Sequence, residues 1–78
     1  MSLEAVKATL EECKLSSNPI KINAGSRLSM LIDNFEKKNL SKMELASKVI
    51  DLRNHLLTIR TDEGKLLSNI CKDVLKYT

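Results

Sequence analysis

His55, Cys13 and Cys71 are the side chains of this 78-residue chain best suited to proton transfer or nucleophilic attack near neutral pH. A catalytic histidine needs a group that orients it and a nucleophile within reach. The nearest carboxylate to His55 in the chain is Asp51, one helical turn back, and that spacing describes a surface pair on one helix. Cys13 and Cys71 fall on apolar positions of helical patterns, where a free thiol behaves as a small hydrophobe. Neither lies at a helix start or among flanking cations that would lower its pKa. Two distant cysteines and one histidine give no zinc-type spacing, so no metal is expected. Gly25 and Gly64 are the only glycines, too few for a phosphate-cradling loop. The sequence therefore argues against an enzyme, and neither a cofactor nor a small-molecule substrate is expected.

Contact chemistry is better represented. Arg53 occupies a core-like slot between Ile50 and Leu57, and Arg60 follows one heptad later. With Met43 they make a mixed apolar and basic face of Met43, Ile50, Arg53, Leu57 and Arg60. Protein interfaces are enriched in Arg and Met and depleted in Lys. The plainer reading of Arg53 is snorkelling, its stem on apolar surface and its guanidinium in water. Met30, off the core face of its own segment, is a second contact candidate. The alternative to a protein partner is a small nucleic-acid-binding regulator using Lys37, Lys38, Lys42 and Lys48 with the two arginines. Against it, single-strand binding relies on aromatic stacking, and the chain has only Phe35, in a core stripe, and Tyr77, at the end. The run Leu40 to Ala46 resembles the opening helix of helix-turn-helix DNA binders, but the pattern continues as helix where that motif requires a turn.

These residues must be positioned by helices. The longest periodic stretch runs from Leu40 to Arg60. Ser41 and Glu44 have the spacing of a capping box, and Leu40 and Leu45 that of a hydrophobic staple. Leu45, Val49, Leu52, Leu56 and Ile59 form one seam; Met43, Ala46, Ile50 and Leu57 form a second beside it. A helix apolar over so wide an arc predicts cover on two sides, the central helix of a small bundle. Before it, Leu3, Val6, Leu10 and Cys13 mark a first helix, with Ser2 as its cap. Ser16 to Pro19 stops that helix, and Ile20 to Ile22 alternates like a short extended connector. Leu28, Leu31, Ile32 and Phe35 mark a second helix that closes at Lys37 and Lys38, with Asn39 as its left-handed end. After Thr61 or Asp62 as cap, Leu66, Leu67, Ile70, Cys71, Val74 and Leu75 mark a fourth. The pattern predicts an all-α bundle of four helices over about 3–14, 25–38, 42–60 and 63–76, a single domain over residues 1–78.

A domain this small buries only about 60% of its unfolded surface and commonly leans on disulfides, metals or oligomerisation. The first two are not expected here, so a homo-oligomer such as a dimer, or a protein partner, is. The net charge of +3 is concentrated in residues 21–60, which hold eight basic residues against four acidic ones. No apolar run approaches the roughly 20 residues that span a bilayer, and unpaired cysteines fit a reducing compartment, which points to the cytoplasm.

The stretch from Asn18 to Leu31 (Asn-Pro-Ile-Lys-Ile-Asn-Ala-Gly-Ser-Arg-Leu-Ser-Met-Leu), with Leu45 to Leu52 after it, resembles the small lysis-inhibition accessory proteins of T-even-type phages. That resemblance rests on general size and helical character. It implies a cytoplasmic antiholin that binds the cytoplasmic segment of a membrane holin and delays lysis, and it carries over no catalytic or ligand residues. The sequence thus predicts a non-enzymatic regulatory protein acting by protein–protein binding.

Overall fold

Four helices are present in a computed structural model, which describes residues 3–76: α1 (Leu3–Lys14), α2 (Pro19–Glu36), α3 (Lys42–Thr58) and α4 (Asp62–Leu75). Ser2, expected to cap α1, lies outside the described residues. Among them there is no strand. The all-α bundle of four helices is therefore the fold.

The helix ends follow local side-chain chemistry. Ser41 Oγ accepts from the Glu44 amide at 3.1 Å while a Glu44 carboxylate oxygen accepts from the Ser41 amide at 3.2 Å, so the capping box is closed. Glu44 accordingly makes no ion pair with Lys48, and Asp51 makes none with His55. Thr61 caps α4, its Oγ1 accepting from the Gly64 amide at 3.1 Å.

Three boundaries differ from expectation. Helix α2 begins at Pro19, so Ile20, Lys21 and Ile22 are helical rather than extended. Asn18 Oδ1 accepts from the amides of Ile20 and Lys21 at 2.9 and 3.2 Å. Proline in the first helical position loses nothing, because its missing N–H would have had no intrahelical partner. Pro19 thus starts α2 as well as barring α1 from continuing. At the other end the left-handed residue is Lys38, with φ 63°, and not Asn39. The Asn39 amide donates to the Asn34 carbonyl at 2.8 Å and the Lys38 amide to Phe35 at 3.0 Å, the paired bonds of a Schellman ending. Finally, α3 stops at Thr58 rather than residue 60, because Ile59 turns extended to let Thr61 cap the next helix.

The largest correction concerns which helix is central. Helices α2 and α4 each pack against all three others, whereas α1 and α3 do not approach one another. The short diagonal of the bundle is α2–α4, and α3 stands at a corner with one flank open. Val6 and Leu10 from α1, Leu28 and Ile32 from α2, Leu45, Val49 and Leu56 from α3, and Leu67, Cys71 and Val74 from α4 close the core. The radius of gyration is 11.5 Å, matching the roughly 11.5 Å of a fully compact chain of this length.

Two glycines inside helices set the tight crossings. A Cβ on Gly25 would stand 2.8 Å from Cys13 Cβ, where α1 meets α2. A Cβ on Gly64 would stand 2.6 Å from the Ile59 carbonyl oxygen and 3.0 Å from that of Leu56, where α4 leaves α3. Gly64→Ala should therefore destabilise the chain by about 1–3 kcal/mol, since backbone atoms must move to admit one methyl group. A lowered urea midpoint at unchanged m-value would show it. Lys38→Gly should do the reverse. It relieves a side chain held in the left-handed region, a gain of about 1 kcal/mol, read as a higher midpoint in the same titration.

Candidate interaction surfaces

Helix α3 carries two surfaces because its core seam leaves two flanks. Leu45, Val49, Leu52 and Leu56 point inward. At 100° per residue, Met43, Ile50 and Leu57 lie within about 40° of one another, on the flank beyond Arg53, and His55 lies about 140° round the helix from Ile50. The first flank is open. Met43 is 84% exposed, Ile50 45% and Leu57 50%. The three are seven residues apart, two turns each, and form a straight apolar seam.

Arg53 borders this seam, half-buried. Its Nε is buried with no hydrogen-bond partner. Its guanidinium lies close enough to α4 to act on Cys71: burial pushes that thiol up from 9.0 to about 12, and Arg53 opposes the rise with a smaller effect. The plain snorkelling of a surface arginine is thus only half the description, since one donor is out of water without an acceptor. Arg60, expected as the next step of the same stripe, is exposed beyond the end of α3, in the α3–α4 corner, and is not in helical register with Arg53.

The other flank of α3 faces α2 across a groove of about 510 Å³. Its floor is apolar, made by Ile20 and Ala24 of α2 with Leu52, Leu56 and Ile59. Arg27 and His55 stand on its rim, and the groove continues toward Lys48 and Asp51. Met30, 60% exposed, sits at its outer lip. An extended connector over Ile20 to Ile22 would leave no such groove; their place in the first turn of α2 gives it one wall. The signal was present in Asn18-Pro19, a cap followed by the residue type favoured at the first helical position.

The four lysines of the nucleic-acid alternative divide. Lys37, Lys38 and Lys42 surround the α2–α3 turn, and Lys37 is engaged with Asp33 at 3.0 Å. Lys48 lies apart from them, beside the α2–α3 groove. Among the described residues no cluster of three or more His, Cys, Asp or Glu could hold a metal, and no helix is long and apolar enough to cross a membrane. Cys13 is buried against α2, and burial raises its pKa too, with Lys21 opposing.

No known family model, curated protein or solved structure matches the chain.

The raised Cys71 pKa has a measurable consequence. The folded state holds the thiol protonated where the unfolded chain releases its proton, so unfolding gains from rising pH between about 9 and 12. Below that range both states are protonated and Cys71 contributes no slope. Urea midpoints should fall more steeply from pH 8.5 to pH 10.5 in the native chain than in Cys71→Ala, and equal slopes would contradict the buried-thiol account.

Proposed function

We propose that this chain is a non-enzymatic regulatory protein that binds another protein through the open seam of α3. The observation that carries the proposal is the set of three exposed large apolar side chains at heptad spacing, Met43, Ile50 and Leu57, beside an unpartnered buried donor on Arg53. Heptad-spaced apolar residues are what a partner helix engages along a shared seam. A buried donor left without an acceptor costs about 1–3 kcal/mol. A turn of the guanidinium on binding would bring that donor to a carboxylate or carbonyl of the partner and recover the cost, so binding energy concentrates at Arg53 as well as at the apolar residues. The partner chemistry that fits is an amphipathic helix with an acidic residue placed against Arg53.

The resemblance to phage lysis-inhibition proteins supplies a concrete identity for that partner. In this reading the chain is an antiholin, and the occupant of the seam is the cytoplasmic segment of a holin. Holding that segment on α3 would keep holins from assembling, and the delay of lysis would follow from binding alone.

The test compares the native chain with Ile50→Asp and Arg53→Met, using tagged protein in nuclease-treated extracts of the native cells prepared in mild detergent. Both variants should keep native helicity, because Ile50 is on the open flank and Met preserves the apolar stem of Arg53. Both should lose a partner that the native chain retains after nuclease treatment. Arg53→Met should also be at least as stable as the native chain, since it removes a buried unsatisfied donor. Loss of helicity in Ile50→Asp would make the seam part of the core and end the proposal. A native dimer that Ile50→Asp converts to monomer, seen by sedimentation, would give the seam to self-association instead. Capture that nuclease abolishes would move the function to the basic residues.

A further inference from the structure

We propose that the groove between α2 and α3 is a second docking site, on the opposite flank of α3 from the open seam, and that it receives an acidic amphipathic helix of about three turns. This site shares no residue with the seam, so it stands or falls independently of the function proposed above.

The groove has the dimensions of a helical occupant. Its lining runs from Ile20 to Leu31 along α2 and from Lys48 of α3 to Ile59 just beyond its end. Eleven residue steps at 1.5 Å give about 16 Å on each wall, the length of a three-turn helix. The floor offers apolar contact along that length, through Ala24, Leu52 and Leu56, with Ile20 and Ile59 at one end. An occupant with apolar residues at i, i+3, i+4 and i+7 presents the matching stripe.

Charge selects the sign of the occupant. Arg27 and Lys48 line the groove and make no ion pair among the described residues, and His55 beside them offers a ring N–H donor; Asp51 is the one acid on its walls, at the Lys48 end. The hollow between α1 and α2 is the internal comparison. It also holds cations, but Lys7 pairs with Glu36 there and Lys14 with Glu11, so that surface is already neutralised. Of these two hollows, the α2–α3 groove is the one that combines an apolar floor with cations that have no internal counterpart. Carboxylates flanking the occupant's apolar stripe would meet Arg27 and His55 near the middle and Lys48 at one end. Met30 at the lip adds an adaptable contact.

Two sites on opposite flanks of one helix make the domain a bridge. A chain that engages one partner on the seam and an acidic helix in the groove holds the two about one helix diameter apart, roughly 10–12 Å.

The experiment uses the full chain, isotope-labelled, and a synthetic capped peptide of about twelve residues with Leu at i, i+3, i+4 and i+7 and Glu elsewhere. A second peptide carries Lys at every Glu. The acidic peptide is expected to shift amide resonances of residues 20–31 and 48–59 and to bind more weakly as salt rises. The Arg27→Glu, Lys48→Glu double variant should lower its affinity about tenfold or more, while Ile50→Asp leaves it unchanged. Equal binding of the basic peptide, shifts centred on Met43, Ile50 and Leu57, or no binding at millimolar peptide would each overturn the proposal. So would the same shifts appearing with protein concentration alone, which would assign the groove to a second copy. Because a double charge reversal can disturb folding, the salt titration of the unmodified chain decides independently: affinity indifferent to salt removes the electrostatic argument.

Discussion

The missing side chain at Gly64 is the constraint on which the arrangement of the second half of the chain depends. Its Cα lies so close to the carbonyls of Leu56 and Ile59 that any other residue would collide with backbone. That contact allows α4 to fold back on α3 within three residues of the end of α3, with Thr61 supplying the cap. The α3–α4 pair is the most extensively packed in the bundle, followed by α1–α2, which is closed by the matching approach of Gly25 to Cys13. Two tight pairs formed this way must then join, and they do so along α2–α4.

That diagonal explains the exposed surfaces. In a bundle where α2 and α4 touch, the helices at the other two corners are kept apart, and each keeps a flank that no neighbour covers. For α3 the consequence is apolar exposure on one side and a groove on the other. A chain of this length cannot enclose both seams of a seventeen-residue helix, because surface grows relative to volume as domains shrink. The open seam is also costly in physical terms. It exposes methionine, isoleucine and leucine to water and leaves an arginine Nε buried without an acceptor.

Most of the fold was legible because its signals are local. The amphipathic repeats, the Ser41–Glu44 box and the Thr61 cap each act over three or four residues, and they lie where their spacing put them except on α4, where Leu66, expected on the core face, is exposed and Ser68 is buried. The fold departs from its local signals where one residue has two roles. Pro19 ends one helix by excluding helical geometry before it and begins another because it needs no donor, and the second role placed Ile20 and Ile22 in α2. Lys38 took the left-handed position in place of Asn39 because the helix ended at Glu36 rather than Lys38, and the two Schellman hydrogen bonds outweighed the side-chain preference.

By itself, then, the sequence determined the four helical segments, the caps of α3 and α4 and the existence of two apolar seams on α3, since periodicity and capping are properties of a single segment. It also determined that the middle of the chain carries the excess of positive charge. Only the tertiary structure decided that α2 and α4, rather than α3, hold the centre, that Arg53 is half-buried with an unpartnered Nε, and that Arg27 and His55 share a groove. Those facts depend on which helices touch and on the distance at which they cross. A 3.6-residue period states that a face is apolar, but a neighbour from a distant part of the chain determines whether that face is covered.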